Sequence, residues 1–249
     1  MNSKFISIVI PAYNEGGRIE STLAQVVGYL STNFSRFEVV VVDDGSTDDT
    51  AQRVALAAAK EPRVRLLSFP DNRGKGFAVR QGVLAARGAA VFFTDADLST
   101  PVEEIEKGIE GLAEGSPAVI ASRRHPESVI AVRQGWLRET VGRAFNLFVR
   151  ALLSVPSHDT QCGFKGFDRE AAQAIFSRAR IDGFAFDVEI LVIAQRLGYR
   201  IKEIPVRWTN SADSKVRPAR QLPHVVGEVL KIYLNDRQKL YGPRSMETS

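Results

Sequence analysis

The chain has 249 residues, of which 44% are hydrophobic and 25% are charged, with a formal net charge of +4 at pH 7. This size and composition fit one large α/β domain or two small ones with a good core. The single cysteine, Cys162, excludes an internal disulfide framework and favours a reducing compartment. No apolar stretch has the length of a transmembrane helix and the N-terminus lacks a signal-peptide core, so we expect a cytoplasmic location.

The first half of the chain alternates apolar segments with helical patterns. Each apolar segment is nearly continuous, which is typical of parallel strands that helices cover on both faces. The predicted strands are 5–11, 37–45, 64–69, 89–97 and 118–123, and the predicted helices are 16–31, 48–60 and 76–87, with Pro101 opening a further one. The alternation predicts an α/β fold with a doubly wound, mostly parallel sheet.

The pattern changes after Arg124. The segments predicted there are a mobile loop (125–135), a helix with a broad apolar face (136–153), a polar turn (157–168), helices at 169–179 and 186–197, and a strand at 200–207. No linker separates the two parts of the chain. We therefore expect one domain over 1–242, with halves 1–124 and 125–242, followed by a frayed tail at 243–249.

Polar clusters follow three of the first four strands: PAYNE (11–15), DDGSTD (43–48) and TDADLST (94–100). Binding sites in α/β sheets form at the carboxyl ends of strands, which favours one shared site. The structural alternative is turn chemistry, or an N-cap in the case of DDGSTD. The third strand leads into DNRGKG (71–76), which places Lys75 before a helix N-terminus, where it can help to bind a phosphate.

The last of these clusters contains two aspartates, Asp95 and Asp97, one residue apart. Residues i and i+2 of an extended chain point the same way, so both carboxylates can face one hard divalent cation. A diphosphate is the natural third partner of such an ion. Alone, a pair of loop aspartates is weak support for this interpretation.

Together these segments resemble the family 2 glycosyltransferases with the GT-A fold. VIPAYNE, VVDDGSTDDT, NRGKG and TDADLSTP match the nucleotide-sugar half of that family in order and approximate spacing. DTQCGFKGF (159–167), FAFDVEIL (184–191) and VRWTNSADSK (206–215) resemble the dolichyl-phosphate β-glucosyltransferase branch and its prokaryotic relatives. The resemblance covers nearly the whole chain. It implies inverting, metal-dependent transfer of a hexose, from UDP-glucose as the expected donor, to a polyprenyl or dolichyl phosphate.

The resemblance also implies roles for donor-side residues. Asp44 would accept the hydrogen of the uracil imide, and Asp97 would be the main protein ligand of Mg²⁺ or Mn²⁺, with Asp95 supporting the ribose, the loop and the metal. Lys75 and Lys215 are candidate diphosphate contacts, with a solvated lysine as the alternative for each. The remaining residues that would line the donor pocket are Pro11, Ala12, Tyr13, Glu15 and Ala96.

On the acceptor side, Arg123 and Arg138 match arginines that hold the acceptor phosphate in the related mannosyl-phosphate branch. That branch has a serine one turn after the second arginine, where this chain has Gly142. Asp159 and Gln161 would form the floor beneath the sugar. Asp187 and Glu189 are weaker candidates for the same floor, and the structural alternatives are a turn brace for Asp159 and a helix cap for Asp187.

A phosphate monoester acceptor needs no general base, because it is largely dianionic at pH 7. Catalysis would then consist of positioning and electrostatics, with closure of the 125–135 loop as a gate. A lipid acceptor also requires a route to the membrane. Segments 136–153 and 225–241 mix apolar and basic residues, which predicts peripheral contact with the cytoplasmic face of a membrane, whereas packing on the domain's own core is the alternative.

Three rival functions remain open at this stage. A glycosyltransferase that extends a glycan would need an acidic base, for which Asp159, Asp187 or Glu189 are candidates. Another polyprenyl-phosphate hexose synthase, such as a mannosyltransferase, would use the same acceptor. A nucleic-acid or dinucleotide-binding module is disfavoured, because PAYNEGG replaces the glycine-rich fingerprint and basic residues form no stripe. The sequence leaves the oligomeric state open.

Overall fold

A computed structural model of the chain describes residues 4–132, 136–209 and 218–242, with backbone alone at 136–139 and 218–221. The strands are β1 (Ile6–Ala12), β2 (Phe37–Asp44), β3 (Val64–Phe69), β4 (Ala90–Phe93), β5 (Ala118–Ser122), β6 (Val129–Val132), β7 (Lys165–Asp168), β8 (Ile201–Pro205) and β9 (Arg207–Thr209). The helices are α1 (Ile19–Asn33), α2 (Thr50–Lys60), α3 (Lys75–Ala85), α4 (Ile105–Ala113), α5 (Trp136–Leu153), α6 (Arg169–Phe176), α7 (Phe186–Arg196) and α8 (Pro218–Arg237). A short 3₁₀ turn, Val102–Glu104, precedes α4.

Seven strands form one sheet in the order β3-β2-β1-β4-β7-β5-β8, and β6 pairs with β9 in a separate parallel ribbon. Within the large sheet every neighbouring pair is parallel except those that involve β7. The prediction of a doubly wound, mostly parallel α/β sheet is confirmed. Strands β7 and β8, which come from the second half of the chain, lie in the same sheet as the strands of the first half.

The sheet separates two apolar cores, because successive side chains of a strand point to opposite faces. On β1, Ile6, Ile8 and Ile10 pack with the helices α1 and α4, whereas Val9 packs on the other face with α3, α6 and α7. Full burial of each such side chain stabilises the fold by about 1.5–3 kcal/mol. The two-sided burial explains why these strands read as continuous apolar runs.

The predicted polar turn at 157–168 is wrong for its last four residues. They form β7, which lies between β4 and β5 and is antiparallel to both. The segment KGFD is too short and too polar to signal a strand by its own periodicity, so its pairing with two buried neighbours defines it. Gly166 lies where a Cβ atom would collide with the Phe92 ring, so a glycine lets β7 approach.

Two further predictions from the second half need correction. The segment predicted as a loop, 125–135, contains β6. This strand pairs with β9, and the paired residues Val129 and Arg207 are about 78 positions apart in the sequence. The single strand predicted at 200–207 is two strands, β8 and β9, in different sheets and separated by Val206.

Several helix ends differ from the predicted ones. Helix α1 begins at Ile19, α6 ends at Phe176, and α8 begins before the predicted segment 225–241. The predicted tail at 243–249 lies outside the described residues.

Candidate active site

The polar clusters meet at one edge of the sheet. Strands β1, β2, β4 and β5 all end there, and β7 begins there, because Phe93, the last residue of β4, pairs with Lys165, the first residue of β7. The antiparallel strand therefore brings the segment 159–164 next to the 94–100 loop. Gly163 lies so near that a Cβ atom on it would collide with the Asp95 carboxylate. The structure thus joins segments that the sequence leaves about 65 residues apart.

The 94–100 loop, which follows β4, is held from two sides. The Thr22 hydroxyl of α1 donates to the Ala96 carbonyl at 2.6 Å, and the Thr209 amide of β9 donates to the Ser99 carbonyl at 2.9 Å. Leu98 has a φ of 46°, in the left-handed region that a leucine rarely adopts. These contacts fix the backbone on both sides of Asp97.

The two aspartates of this loop have different partners. Asp95 forms an ion pair with Lys75, with 2.6 Å between Oδ1 and Nζ. Asp97 accepts the Ser99 amide through Oδ1 at 2.9 Å and borders a cleft of about 270 Å³ between the loop and α1. Within the described part of the chain, Asp97 has no lysine or arginine in an ion pair. Its carboxylate therefore fits the main protein ligand of a hard divalent cation better than that of Asp95.

No cluster of three or more histidine, cysteine, aspartate or glutamate side chains that could hold a metal occurs among the residues described. Water and substrate oxygens are further ligands that a cation at Asp97 would accept. That is how Mg²⁺ usually binds, through one or two carboxylates and a phosphate. The donor set of Asp97 with Asp95 nearby fits Mg²⁺ or Mn²⁺ bound together with a diphosphate.

Lys75 is the first residue of α3, where free backbone amides and the helix dipole favour an anion. Its backbone position is fixed by a neighbouring loop: Gly74 has a φ of 115°, and the Phe77 amide donates to the Asp182 carbonyl at 3.1 Å. Burial lowers the pKa of Lys75, but Asp95, Asp187 and Asp97 outweigh it and raise the pKa overall. The ammonium is therefore charged at neutral pH.

Asp44, at the end of β2, anchors the loop that leads to Lys75. Its carboxylate accepts hydrogen bonds from Asn72 Nδ2 at 3.0 Å and from the amides of Arg73 and Gly74, the latter at 2.7 Å. Burial raises the pKa of Asp44, and the two backbone amides oppose that rise without cancelling it. The role in base recognition stays a prediction, and the structure adds a role in loop anchoring that the sequence did not indicate.

The segment after β1 is tied to the segment after β2. Asn14, with a φ of 56°, accepts the Thr47 amide through its side chain at 2.8 Å, and its own amide donates to Ser46 Oγ at 2.9 Å. The ring of Tyr13 is 43% exposed beside this contact. The other residues predicted for the donor pocket are Pro11 and Ala12 at the end of β1, and Glu15 before α1. These hydrogen bonds link the two segments into one wall of the site.

Arg123, just after β5, is held by Asp159. Nε and Nη2 donate to the two carboxylate oxygens at 2.7 Å each, and the Arg123 amide donates to Oδ2 at 2.9 Å. The ring of Trp208 lies 5.4 Å from the guanidinium. Burial alone would raise the pKa of Asp159, but Arg123 more than compensates, so the pKa is lowered and the carboxylate is ionised at neutral pH.

The remaining candidates for the sugar floor separate into different environments. Gln161 is half-buried on the segment before β7. Asp187, in the first turn of α7, forms an ion pair with the fully buried Lys165 and is not a cap, because Ala185 is the N-cap and has no side-chain bond. Glu189 accepts the amides of Arg180 and Ile181 at 2.9 and 2.8 Å, so it braces a loop.

Two predicted residues fall where no side chain is described. Lys215 lies outside the described residues, and of Arg138 only the backbone of α5 is described. The sequence patterns did not point to Trp208 or Lys165 as residues of the site. Lys165 could have been noticed as a lysine within the largely apolar string CGFKGF. Trp208 lies in VRWTN, a segment that supports the family resemblance, but the resemblance assigned no role to the tryptophan.

The sheet order and the acidic loop after β4 define a GT-A fold. A model of the family described as Glycosyl transferase family 2 matches residues 7–176. The chain belongs to glycosyl transferase family 2 and is a glycosyltransferase.

Among curated proteins, the chain is 39% identical over 223 residues to a dolichyl-phosphate beta-glucosyltransferase of Trichomonas vaginalis, covering 86% of this chain and 66% of that protein. It is 40% identical over 233 residues to the dolichyl-phosphate beta-glucosyltransferase of Saccharomyces cerevisiae, covering 85% and 69%. The chain thus spans about two thirds of the length of these two relatives.

Among solved structures, glucosyl-3-phosphoglycerate synthase from Mycobacterium tuberculosis, in complex with Mn²⁺, UDP and phosphoglyceric acid, superposes with a TM-score of 0.68. The two chains are 25% identical, and the match covers 98% of this chain and 80% of that one.

Proposed function

We propose that this glycosyltransferase transfers glucose from UDP-glucose to a dolichyl or polyprenyl phosphate, with inversion at the anomeric carbon and with the help of Mg²⁺ or Mn²⁺. The observation that carries the proposal is the oriented guanidinium of Arg123 at the same sheet edge as Asp97. The segment from Asp159 to Gly163 joins them, since one end binds Arg123 and the other touches Asp95. A cationic site for an acceptor anion thus lies beside a site for a metal and diphosphate.

On the donor side, Asp97 would hold the cation and Lys75 would contact the diphosphate. When bound, the cation offsets the negative charge that develops on the leaving diphosphate. The Lys75 ammonium, charged and close to the α3 N-terminus, adds to that stabilisation. Support for UDP and Mn²⁺ comes from the Mycobacterium tuberculosis synthase, whose fold this chain shares.

On the acceptor side, Arg123 would bind the lipid phosphate together with Arg138. Nε and Nη2 of Arg123 donate to Asp159, so Nη1 is the guanidinium nitrogen that would contact the phosphate. A phosphate dianion attacks without deprotonation. No general base is needed, and the ionised, arginine-bound Asp159 is a poor proton acceptor near neutral pH.

The same geometry weakens the glycan-extending alternative. Among its three candidate bases, Asp159 binds Arg123 and Asp187 binds Lys165. Glu189 accepts two backbone amides and the Tyr241 hydroxyl, and it is fully buried. None of these carboxylates is left free to take a proton from a sugar hydroxyl, which supports a phosphate acceptor.

A lipid acceptor requires contact with a membrane, and α5 offers a surface for it. One face of α5 packs into the core of the domain through Phe145, Val149 and Leu153. On its other face, Leu147 is 68% exposed and Phe148 is 37% exposed. The exposed Arg150 lies one turn from Leu147. Exposed apolar side chains beside basic ones suit an interface that carries anionic lipids.

Helix α8 likewise has one face that packs on the core and one face that is exposed to solvent. Val225 and Val229 are buried, whereas Leu230 and Leu234 are 46% and 56% exposed, with Lys231 on the same stretch. No described helix is both long and apolar enough to span a bilayer. From the exposed apolar and basic side chains of α5 and α8, we propose that these helices bind peripherally to the cytoplasmic face of a membrane, which would bring the acceptor phosphate to Arg123.

The deciding experiment offers the protein dolichyl phosphate with UDP-glucose, UDP-galactose and GDP-mannose in turn, each with Mg²⁺, Mn²⁺ or EDTA. We expect glucose transfer from UDP-glucose that EDTA abolishes. Transfer of mannose instead would replace the sugar and keep the acceptor. Transfer to a lipid-linked glycan, with none to bare dolichyl phosphate, would refute the proposed acceptor.

A further inference from the structure

The ion pair between Lys165 and Asp187 has no part in the function proposed above. Lys165 is fully buried, and its ammonium donates to the Asp187 carboxylate and to the Cys162 carbonyl, the latter at 2.7 Å. The ring of Phe93 lies 5.4 Å from the ammonium. A buried pair of this kind contributes little net stability, because desolvation of two charges offsets most of their attraction. A role beyond stability is therefore worth seeking.

The start of α7, which carries Asp187, packs directly on the start of α3, which carries Lys75. A Cβ atom at Gly76 would lie 2.6 Å from Phe186 Cβ, so glycine allows the two helix ends to meet. Lys75 Nζ lies 5.8 Å from the centre of the Phe186 ring. Asp187, the next residue after Phe186, is itself buried, and its carboxylate is among the charges that raise the pKa of Lys75.

Side-chain exposure falls from 34% for Asp95 to 20% for Lys75, 5% for Asp187 and 0% for Lys165, so charges of alternating sign run from the surface into the core. Asp95 lies two residues from the proposed metal ligand Asp97, so it has to serve both the cation site and Lys75. The Asp187 side chain is more buried than that of Lys75, and its ion-pair partner is Lys165. Its own position is set by Lys165, which is anchored in the central strand β7.

We propose that Asp187 is a positioning residue, which holds the Lys75 ammonium at the diphosphate end of the site and is itself held there by Lys165. The inference rests on the proposed function, in which Lys75 contacts the diphosphate. Asp187 does not touch the substrate. It acts through Lys75, so its effect should appear in nucleotide binding and should vanish when Lys75 is absent.

The test is calorimetric titration of UDP, with Mn²⁺ present, into the parent chain and into variants, and it needs no lipid acceptor. We expect Lys75→Met and Asp187→Asn each to weaken UDP binding by about tenfold or more, as for the loss of a charge-assisted contact. The double variant should be no weaker than Lys75→Met alone, because the two residues act as one unit. Losses that multiply in the double variant would overturn the inference.

A second variant separates positioning from folding, since Asp187→Asn leaves the Lys165 charge buried without a partner. Lys165→Met with Asp187→Asn removes both charges and restores a neutral core. We expect this variant to fold and still to bind UDP as weakly as Asp187→Asn. Parent-like UDP binding by this variant would overturn the inference.

The matched control is the partly buried pair Arg196–Asp236 at the far end of α7, whose two nitrogen–oxygen distances are 2.6 and 2.8 Å. Arg196→Met with Asp236→Asn should leave UDP binding unchanged. If the parent binds UDP and Lys75→Met or Asp187→Asn has no effect, the inference alone is wrong. If the parent itself binds no UDP, the proposed donor site is wrong and the inference falls with it. Absence of transfer to dolichyl phosphate, with UDP binding intact, affects only the proposed acceptor.

Discussion

Replacing Asp159 by asparagine removes the charge that orients Arg123 while keeping the size of the side chain. Asp159 is 1% exposed and accepts three hydrogen bonds from Arg123, all between 2.7 and 2.9 Å. Loss of one partner of a buried ion pair destabilises a protein by about 3–5 kcal/mol. For a chain of this length, about 2–4 °C per kcal/mol gives a decrease in Tm of roughly 6–20 °C.

The effect on stability should depend on pH in a defined direction. The pKa of Asp159 is lower in the folded protein than its usual value, so its contribution is fully present above the unfolded pKa, near about 3.9. The contribution is lost as the pH falls through the lower, folded pKa. Thermal melts of the parent and of Asp159→Asn should therefore differ most above about pH 5 and converge as the pH falls below about 4.

The effect on activity should fall on the acceptor alone. Without the Asp159 carboxylate, the Arg123 guanidinium is no longer held in one orientation and binds phosphate less well. We therefore expect the KM for dolichyl phosphate to rise about tenfold or more, with the affinity for UDP unchanged. Arg123→Lys should show a similar loss, because an ammonium cannot make the two-pronged contact with Asp159. Arg124→Ala serves as the neighbouring control. Parent-like Tm and parent-like KM in Asp159→Asn would refute the reasoning.

The remaining predictions concern the donor site and the membrane. Asp97→Ala should abolish transfer and Mn²⁺-dependent UDP binding. The variant should still fold, because the one described hydrogen bond of the Asp97 side chain is to the nearby Ser99 amide. Normal turnover would show that Asp97 is not the metal ligand. Asp44→Asn should weaken UDP binding and lower the free energy of unfolding by about 1–3 kcal/mol, because the new side-chain amide would face three N–H donors. A loss of stability with unaltered UDP affinity would limit the role of Asp44 to loop anchoring. Replacing Leu147 and Leu234 together by glutamate should release the chain from vesicles of anionic lipid in a sedimentation assay, with UDP binding unchanged; undiminished vesicle binding would exclude these faces.

The sequence by itself determined the features that depend on neighbouring residues. The strand cores, the turn to the Asp95–Asp97 loop and the placement of Lys75 before α3 all follow from local apolar patterns and chain punctuation. These patterns placed the donor clusters at strand ends, and the parallel sheet then gathered them at one edge. The same logic succeeded for α5, whose apolar face continues over several turns.

The tertiary structure alone decided which charges meet. Strand β7 is only four residues long, and its place in the sheet depends on partners in β4 and β5, beyond the reach of any local pattern. Its direction brings Asp159 to Arg123 and Lys165 to Asp187. Both aspartates are therefore counter-ions, and their role in the sugar floor stays a prediction. Burial makes such pairing necessary, because an ionised group removed from water must find a partner of opposite charge. That partner is set by packing between distant segments, so the sequence names the charged groups and the fold assigns their partners.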